Sequence, residues 1–180
     1  HIAALYSKDK TLITYLKDPA SDMHLDMAKQ LFLFDTLDRK LPTHNLMRQA
    51  AKNGFVFPQF YGDYYVNNAM GLCEWVKLPQ ETWTGGKGIE LPDGTHLSDH
   101  RRIKGIRSFR NFVDHVRGIE DDFWNNRFKG YRDWRESWAK KYRTKGSLQM
   151  LTGFVCSGEM TKNEILNYPV QGTAFHCLLL

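Results

Sequence analysis

Arg48 and Lys52 stand four positions apart in the segment RQAAKNGFVFPQFYG, followed by Phe55, Phe57, Phe60 and Tyr61-Gly62. On a helix that spacing puts both cations on one face, where they can converge on neighbouring anionic oxygens. Arg brings a planar fork of donors and Lys a compact charge. The chemistry open to such a set is the grip of a polyphosphate, with aromatic surface for the attached sugar and base. R-x3-K is also what a solvated helix face looks like, and Phe57, Phe60 and Tyr61 could be core aromatics, the role assigned to Phe60.

Two other segments carry polar groups suited to recognition. Asp22-Met23-His24 sets a histidine at the start of a helical pattern, where the plain alternative is a helix-terminal histidine beside an acid. Asn167-Tyr168-Pro169-Val170-Gln171-Gly172-Thr173-Ala174 places two amides around a proline, where they could simply cap a helix break. Asp93, His96, Asp99 and His100 include a His-x3-His spacing, but in a turn-rich stretch without cysteine partners, so no metal ligand is assigned.

Hydrophobic periodicity predicts the elements that carry these groups. Two short helices over residues 2–17 join around Ser7 to Lys10, and Met23, Met27, Leu31 and Phe34 mark a stronger helix. A third opens near Thr43 as N-cap and runs through Arg48 and Lys52 until Pro58 disturbs it. In residues 84–105, Gly85-Gly86, Gly88, Pro92 and Asp93-Gly94 mark turns, and a surface insertion with a short hairpin over residues 88–97 is expected. Helical patterns resume through Phe109, Phe112 and Val116 and then Phe123 to Trp138, softly broken at Gly118 and Gly130; the aromatics are read as helix packing. Residues 147–156 read as a β-hairpin turning at Thr152-Gly153. Thr161 and Glu164 have capping-box spacing, opening a last helix that Pro169 interrupts. The fold class is α+β, predominantly helical.

At 180 residues, 42% hydrophobic and 13% aromatic, the chain can bury one real core, and disorder is excluded as its general state. No apolar run approaches the ~18 residues of a membrane span, and no secretory leader pattern is present. Cys73, Cys156 and Cys177 are odd in number and far apart, which argues against a disulfide framework or structural zinc and points to a reducing, cytoplasmic setting. Of the net charge of +5, residues 101–145 hold fourteen Lys/Arg against six Asp/Glu, leaving that stretch at +8 and the remainder at −3. Cations interleaved with aromatics suit nucleic acid, and a helix pair with a solvated basic face would look the same.

Three of these segments together resemble the family A DNA polymerases, bacterial DNA polymerase I and its phage relatives. Arg48, Lys52, Tyr61 and Gly62 are similar to the fingers-helix motif R-x3-K-x7-YG. Asn167, Pro169 and Gln171-Gly172-Thr173-Ala174 resemble the N-x-P-x-QGTAAD stretch before the final catalytic motif. His1 to Asp9, and then Asp22-Met23-His24, resemble the stretch just C-terminal to the first catalytic motif, with its D-I-H signature. The order is the family's, and the resemblance spans the chain apart from residues 84–105.

The resemblance implies a partial polymerase domain over residues 1–180, comprising most of the fingers and part of the palm of the polymerase right hand. Its parent would be a nucleotidyltransferase extending a primer by two-metal phosphoryl transfer. His24, Arg48 and Lys52 would hold the triphosphate of an incoming deoxynucleotide, Phe57 would sit by its sugar and Tyr61 near the templating base. Asn167 and Gln171 would contact primer-template DNA through the minor groove. The family's two Mg²⁺ ions are held by aspartates that would fall before His1 and after Leu180, so no catalytic or metal-binding residue is assigned within the chain, and this fragment alone is expected to be inactive. A bacterial or phage-infected cytoplasm is the implied setting. The alternative is a non-catalytic basic helical module that binds nucleic acid through residues 101–145.

The sequence departs from the family in four places, one of them His1, where the family usually has Arg. Tyr61 lies nine residues after Lys52 where the family has eight, and an unbroken α-helix at ~100° per residue would turn Phe57 away from Arg48. A one-residue π-bulge or break between Asn53 and Pro58 would restore the face. Phe175-His176 replaces Ala-Asp, and Asn163 stands where a relative commonly has Arg, which puts DNA contacts near those positions in question.

Overall fold

The computed structural model describes residues 1–179. It is mostly helical with one antiparallel hairpin, and it divides into two compact units, residues 21–121 and residues 1–20 with 122–180.

The 21–121 unit begins with α3 (Met23–Phe32), the chain's third helix after α1 (Ile2–Ser7) and α2 (Lys10–Lys17). Asp22 caps α3, its Oδ1 accepting the Leu25 N–H at 3.1 Å, and Leu33 ends it in a left-handed conformation, φ 61°. Next comes α4 (Pro42–Ala51). Thr43 is not its cap: Leu41 holds that position, and Pro42 takes the first turn, where a missing N–H costs nothing. A π-helical turn, Lys52–Val56, leads into α5 (Phe57–Tyr61), which Gly62 terminates at φ 95°. Pro58 therefore does not end the helical path, because its ring and absent N–H sit in the first turn after the widened one.

The π turn lies against α6 (Tyr65–Trp75) at a glycine. A Cβ on Gly54 would stand 3.3 Å from the Leu72 backbone nitrogen and 3.2 Å from its Cδ2. Behind α5, buried Gln59 donates at 2.6 Å to both Asn68 and Glu120, the latter on α8 (Phe109–Asp122). Burial raises the Glu120 carboxyl above its ordinary range. With Gln59 held inward, Phe57 and Tyr61 are left on the outer face.

Residues 84–105 are in part the surface excursion expected, with 84–87 and 92–95 exposed, while other positions pack inward. The hairpin reduces to a single bridge, Glu90 with His96, and Ile89, Leu91, Leu97 and Arg101 are all buried. The stretch ends in α7 (Leu97–Ile103), and together with α8 it closes the C-terminal end of α3. Arg101 donates to the Leu31 carbonyl at 2.6 Å, His100 Nε2 lies 3.0 Å from that of Leu33, and His115 Nε2 3.1 Å from that of Gln30. Those carbonyls belong to the last turn, which lacks partners within the helix. Arg101, fully buried 4.2 Å from the Phe112 ring, takes no part in any basic surface.

In the other unit, Asp9 caps α2 through Leu12 N–H at 2.9 Å and accepts Tyr131 N–H at 3.0 Å. Gly130 makes that approach possible, since a Cβ there would meet Asp9 Oδ2 at 2.8 Å. The helical break falls at a second π turn, Phe123–Arg127, while Gly118 and Gly130 lie inside α8 and α9 (Lys129–Lys145). Phe123, Phe128 and Tyr131 are buried, as packing aromatics should be. Strands β1 (Ser147–Gln149) and β2 (Val155–Ser157) pair in register Leu148 with Cys156, the loop turning through Gly153 at φ 85°.

The last helix, α10 (Lys162–Leu179), opens with the expected capping box: Thr161 N–H donates to Glu164 at 2.7 Å, and Glu164 N–H to Thr161 Oγ1 at 3.3 Å. Pro169 does not interrupt it. Proline cannot donate to the carbonyl of Ile165, and the Trp138 indole supplies that hydrogen bond instead, at 3.1 Å. No helix among the described residues is long and apolar enough to cross a membrane.

Candidate functional site

The cations, the histidine and the two aromatics all belong to the 21–121 unit, on α3, α4, the π turn and α5. A π turn closes on its own i to i−5 bond, and here Phe57 N–H donates to the Lys52 carbonyl. Phe57 thus sits one widened turn above Lys52, whose Nζ lies 5.2 Å from the Phe57 ring centroid. The ring also meets His24 edge-on, with centroids 5.7 Å apart at 89°, and Tyr61 comes one α-turn later at 6.4 Å. The π turn falls where the spacing argument put a bulge, and it leaves Phe57 beside Lys52 and His24. Phe57 is 40% exposed and Tyr61 46%.

His24 enters this group from the first turn of α3. Its Nδ1 is buried without a hydrogen-bond partner. Burial, then the charge of Arg48 and, more weakly, that of Lys52 push its pKa below the ordinary histidine value against the pull of Asp22. The imidazole is therefore neutral at neutral pH, and an anion beside it would offset the neighbouring positive charges.

Asp22 is the residue that spacing did not single out as part of the site. Its Oδ2 accepts from Arg48 Nε at 2.7 Å and from the exposed Arg39 at 3.2 Å, while Oδ1 caps α3. One carboxylate thereby ties the helix that carries His24 to the helix that carries Arg48. Burial pulls this carboxyl upward, but the Arg48 and Leu25 hydrogen bonds and the nearby positive charge hold it below the usual carboxylate range. An acid at a cap, followed by histidine, was the available signal; Arg39, in the connection between helices, offered none.

Asn167 and Gln171 sit one turn apart on α10, in the other unit, Asn167 half-buried and Gln171 exposed. Both side chains lie on one helix face. Asp93, Asp99, His96 and His100 are accounted for locally: Asp93 accepts from Thr95, Asp99 from Gly86 N–H, His96 lies by the Gly88 carbonyl, and His100 stacks on Phe34 at 3.9 Å. Among the described residues no group of three His, Cys, Asp or Glu side chains is placed to hold a metal ion.

The chain matches no protein-family model and no curated protein. Among solved structures it is similar to the polymerase domain of Pol1 from M. smegmatis, determined as a complex with DNA primer-template and dNTP. The TM-score is 0.54 and the identity 18%, over 96% of this chain and 25% of that one. This chain thus spans about a quarter of that chain's length, and at such identity the likeness is one of fold: the chain has a polymerase-like fold.

Proposed function

We propose that this chain is the fingers and part of the palm of a family A type DNA-directed DNA polymerase, and that the face formed by His24, Arg48, Lys52, Phe57 and Tyr61 receives the incoming deoxynucleoside triphosphate. The observation that carries the reading is the π turn. It keeps Phe57 above Lys52 and against His24 although the motif is one residue too long.

In this reading Arg48 and Lys52 hold phosphate oxygens and His24 approaches from a second helix. Fixed positive charge there binds the triphosphate and stabilises the charge that develops on the departing pyrophosphate. Phe57 and Tyr61 present exposed ring surface to the sugar and the templating base. Asn167 and Gln171 contact the primer-template duplex in its minor groove, where side-chain amides donate to the acceptors common to the base pairs. Primer-template DNA and a deoxynucleotide are bound in the complex of the M. smegmatis protein, and the fold likeness supports the same partners here. Two Mg²⁺ ions of such an enzyme would be held by residues outside this face, where Asp22 is already engaged by Arg48 and Leu25. No step is assigned to metal within this chain.

The test is Lys52→Ala in the enzyme that contains this chain, read by single-nucleotide incorporation on a primed template. Loss of one such donor is expected to cost ~2 to 4 kcal/mol of transition-state stabilisation, about 30- to 1000-fold in rate. Incorporation at the wild-type rate would refute the assignment of Lys52.

A further inference from the structure

The helix that presents Phe57 and Tyr61 draws little support from its own backbone. α5 has five residues, follows a π turn, lacks an N–H at Pro58 and ends at Gly62 in the left-handed region, φ 95°. Its buried residue, Gln59, is polar and wholly shielded from solvent. Gln59 stands two positions from each ring, which at ~100° per residue puts it on the opposite side of the helix. What holds Gln59 therefore sets how the two rings face outward.

The Gln59 amide donates at 2.6 Å to Asn68 Oδ1 on α6 and at 2.6 Å to Glu120 Oε1 on α8. The second carboxylate oxygen, Oε2, accepts the Tyr65 N–H at 3.3 Å. Tyr65 is the first residue of α6, where backbone N–H groups have no partner within the helix. One carboxylate thus holds both sides of the Gly62 corner, α5 through a side chain and α6 through its backbone. The placement is costly: burial above all, and then the charges of Asp121 and Asp63, raise the Glu120 pKa. An apolar residue in place of Gln59 would anchor α5 at lower cost but without direction, whereas a hydrogen-bonded network fixes one orientation.

We infer that Glu120, acting through Gln59, is a positioning residue for nucleoside recognition: it sets the Phe57 and Tyr61 rings toward sugar and base and leaves the triphosphate grip to other supports. This role rests on the proposed nucleotide site and divides that site in two. His24, Arg48 and Lys52 stand on α3, α4 and the π turn, whereas the Glu120 bonds end on α5 and α6. Loss of Glu120 should therefore loosen the hold on the nucleoside while the hold on the phosphates persists.

The experiment is isothermal titration calorimetry of the 180-residue chain with two probes, dATP and inorganic tripolyphosphate, each compared between wild type and variant. Glu120→Met keeps the side-chain length and removes both acceptors. It is expected to weaken dATP by at least ~5-fold, the low end of what one base stacked on an aromatic ring contributes, and to leave tripolyphosphate within ~2-fold. Gln59→Met removes the same link from the α5 side, should show the same split, and decides the matter if Glu120→Met does not fold. In a Phe57→Ala/Tyr61→Ala background no ring is left to position, so Glu120→Met should weaken dATP no further. Equal weakening of both probes would overturn the positioning role in favour of a merely structural one, as would unchanged dATP affinity or an undiminished loss in the ring-free background. Failure of the wild-type chain to bind either probe is a different result, which would overturn the nucleotide site itself and this role with it.

Discussion

Asp22→Ala and Asp22→Asn separate two tasks performed by one carboxylate. Alanine removes both the cap on α3 and the pair with Arg48, whereas asparagine keeps a cap that helices accept about as well and loses the charge. A lost N-cap costs ~1 kcal/mol. A charge-assisted hydrogen bond contributes about 1.5 to 3 kcal/mol, and partial solvent access at Arg48, 20% exposed against 11% for Asp22, favours the lower end, about 1.5 to 2 kcal/mol. Asp22→Ala should therefore destabilise by about 2.5 to 3 kcal/mol, and Asp22→Asn by ~1 kcal/mol less. The assay is urea denaturation of the 180-residue chain monitored by circular dichroism, repeated across acid pH. Because the folded pKa of Asp22 lies below the unfolded value, its stabilisation is fully present above ~4 and is lost as pH falls through the folded value. The difference between wild type and Asp22→Asn must then shrink in strong acid. Equal costs for the two variants, or a difference that persists once every carboxyl is protonated, would refute the division into cap and pair.

Gly130→Ala is expected to destabilise by ~1 to 3 kcal/mol despite alanine's better helix propensity, since its Cβ would stand 3.1 Å from the Asp9 Cα and 2.8 Å from Oδ2; thermal melting checks it, and a rise in Tm would be the contrary result. His24, His100 and His115 all have pKa values lowered chiefly by burial, so the unfolded chain binds more protons as pH drops below ~6.5 and stability should fall there, before carboxylates titrate. Urea midpoints measured from neutral pH down to about 5 read this directly, and a flat profile would show that these imidazoles are not buried as neutral groups.

Local rules reached the elements whose ends are set by neighbouring side chains, and failed where a distant partner changed the outcome. Thr161 and Glu164 formed the reciprocal cap that their spacing required, because everything it needs lies within four residues. Pro169 should have ended α10 by the same local logic, and it does not, because an indole on α9 satisfies the carbonyl it leaves open. Nothing within ten residues of Pro169 carries that information. The buried positions within residues 84–105 were not legible for a related reason. The glycines and proline of that stretch do make turns, but Arg101 is buried with its bond to Leu31 on α3, seventy positions earlier.

The site was legible to the extent that it depends on counting. Lys52 and Phe57 five apart cannot share a face on an α-helix, and they can across one π turn, so two residues expected to meet required a particular irregularity at a particular place. That inference needed only the helical repeat and the expectation that the aromatic belongs with the cations. Asp22 was harder to find because its importance lies in joining two helices, and a one-dimensional spacing between residues 22 and 48 carries no angle. Gln59 and Glu120 show the same limit: each reads as a polar position on its own helix, and only packing of α8 behind α5 puts them in contact. Periodicity thus assigns residues to faces, whereas recognition sites arise where faces of separate helices meet. In this chain the π turn at Lys52–Val56 is where one residue beyond the motif's spacing became visible as a defect in the repeat.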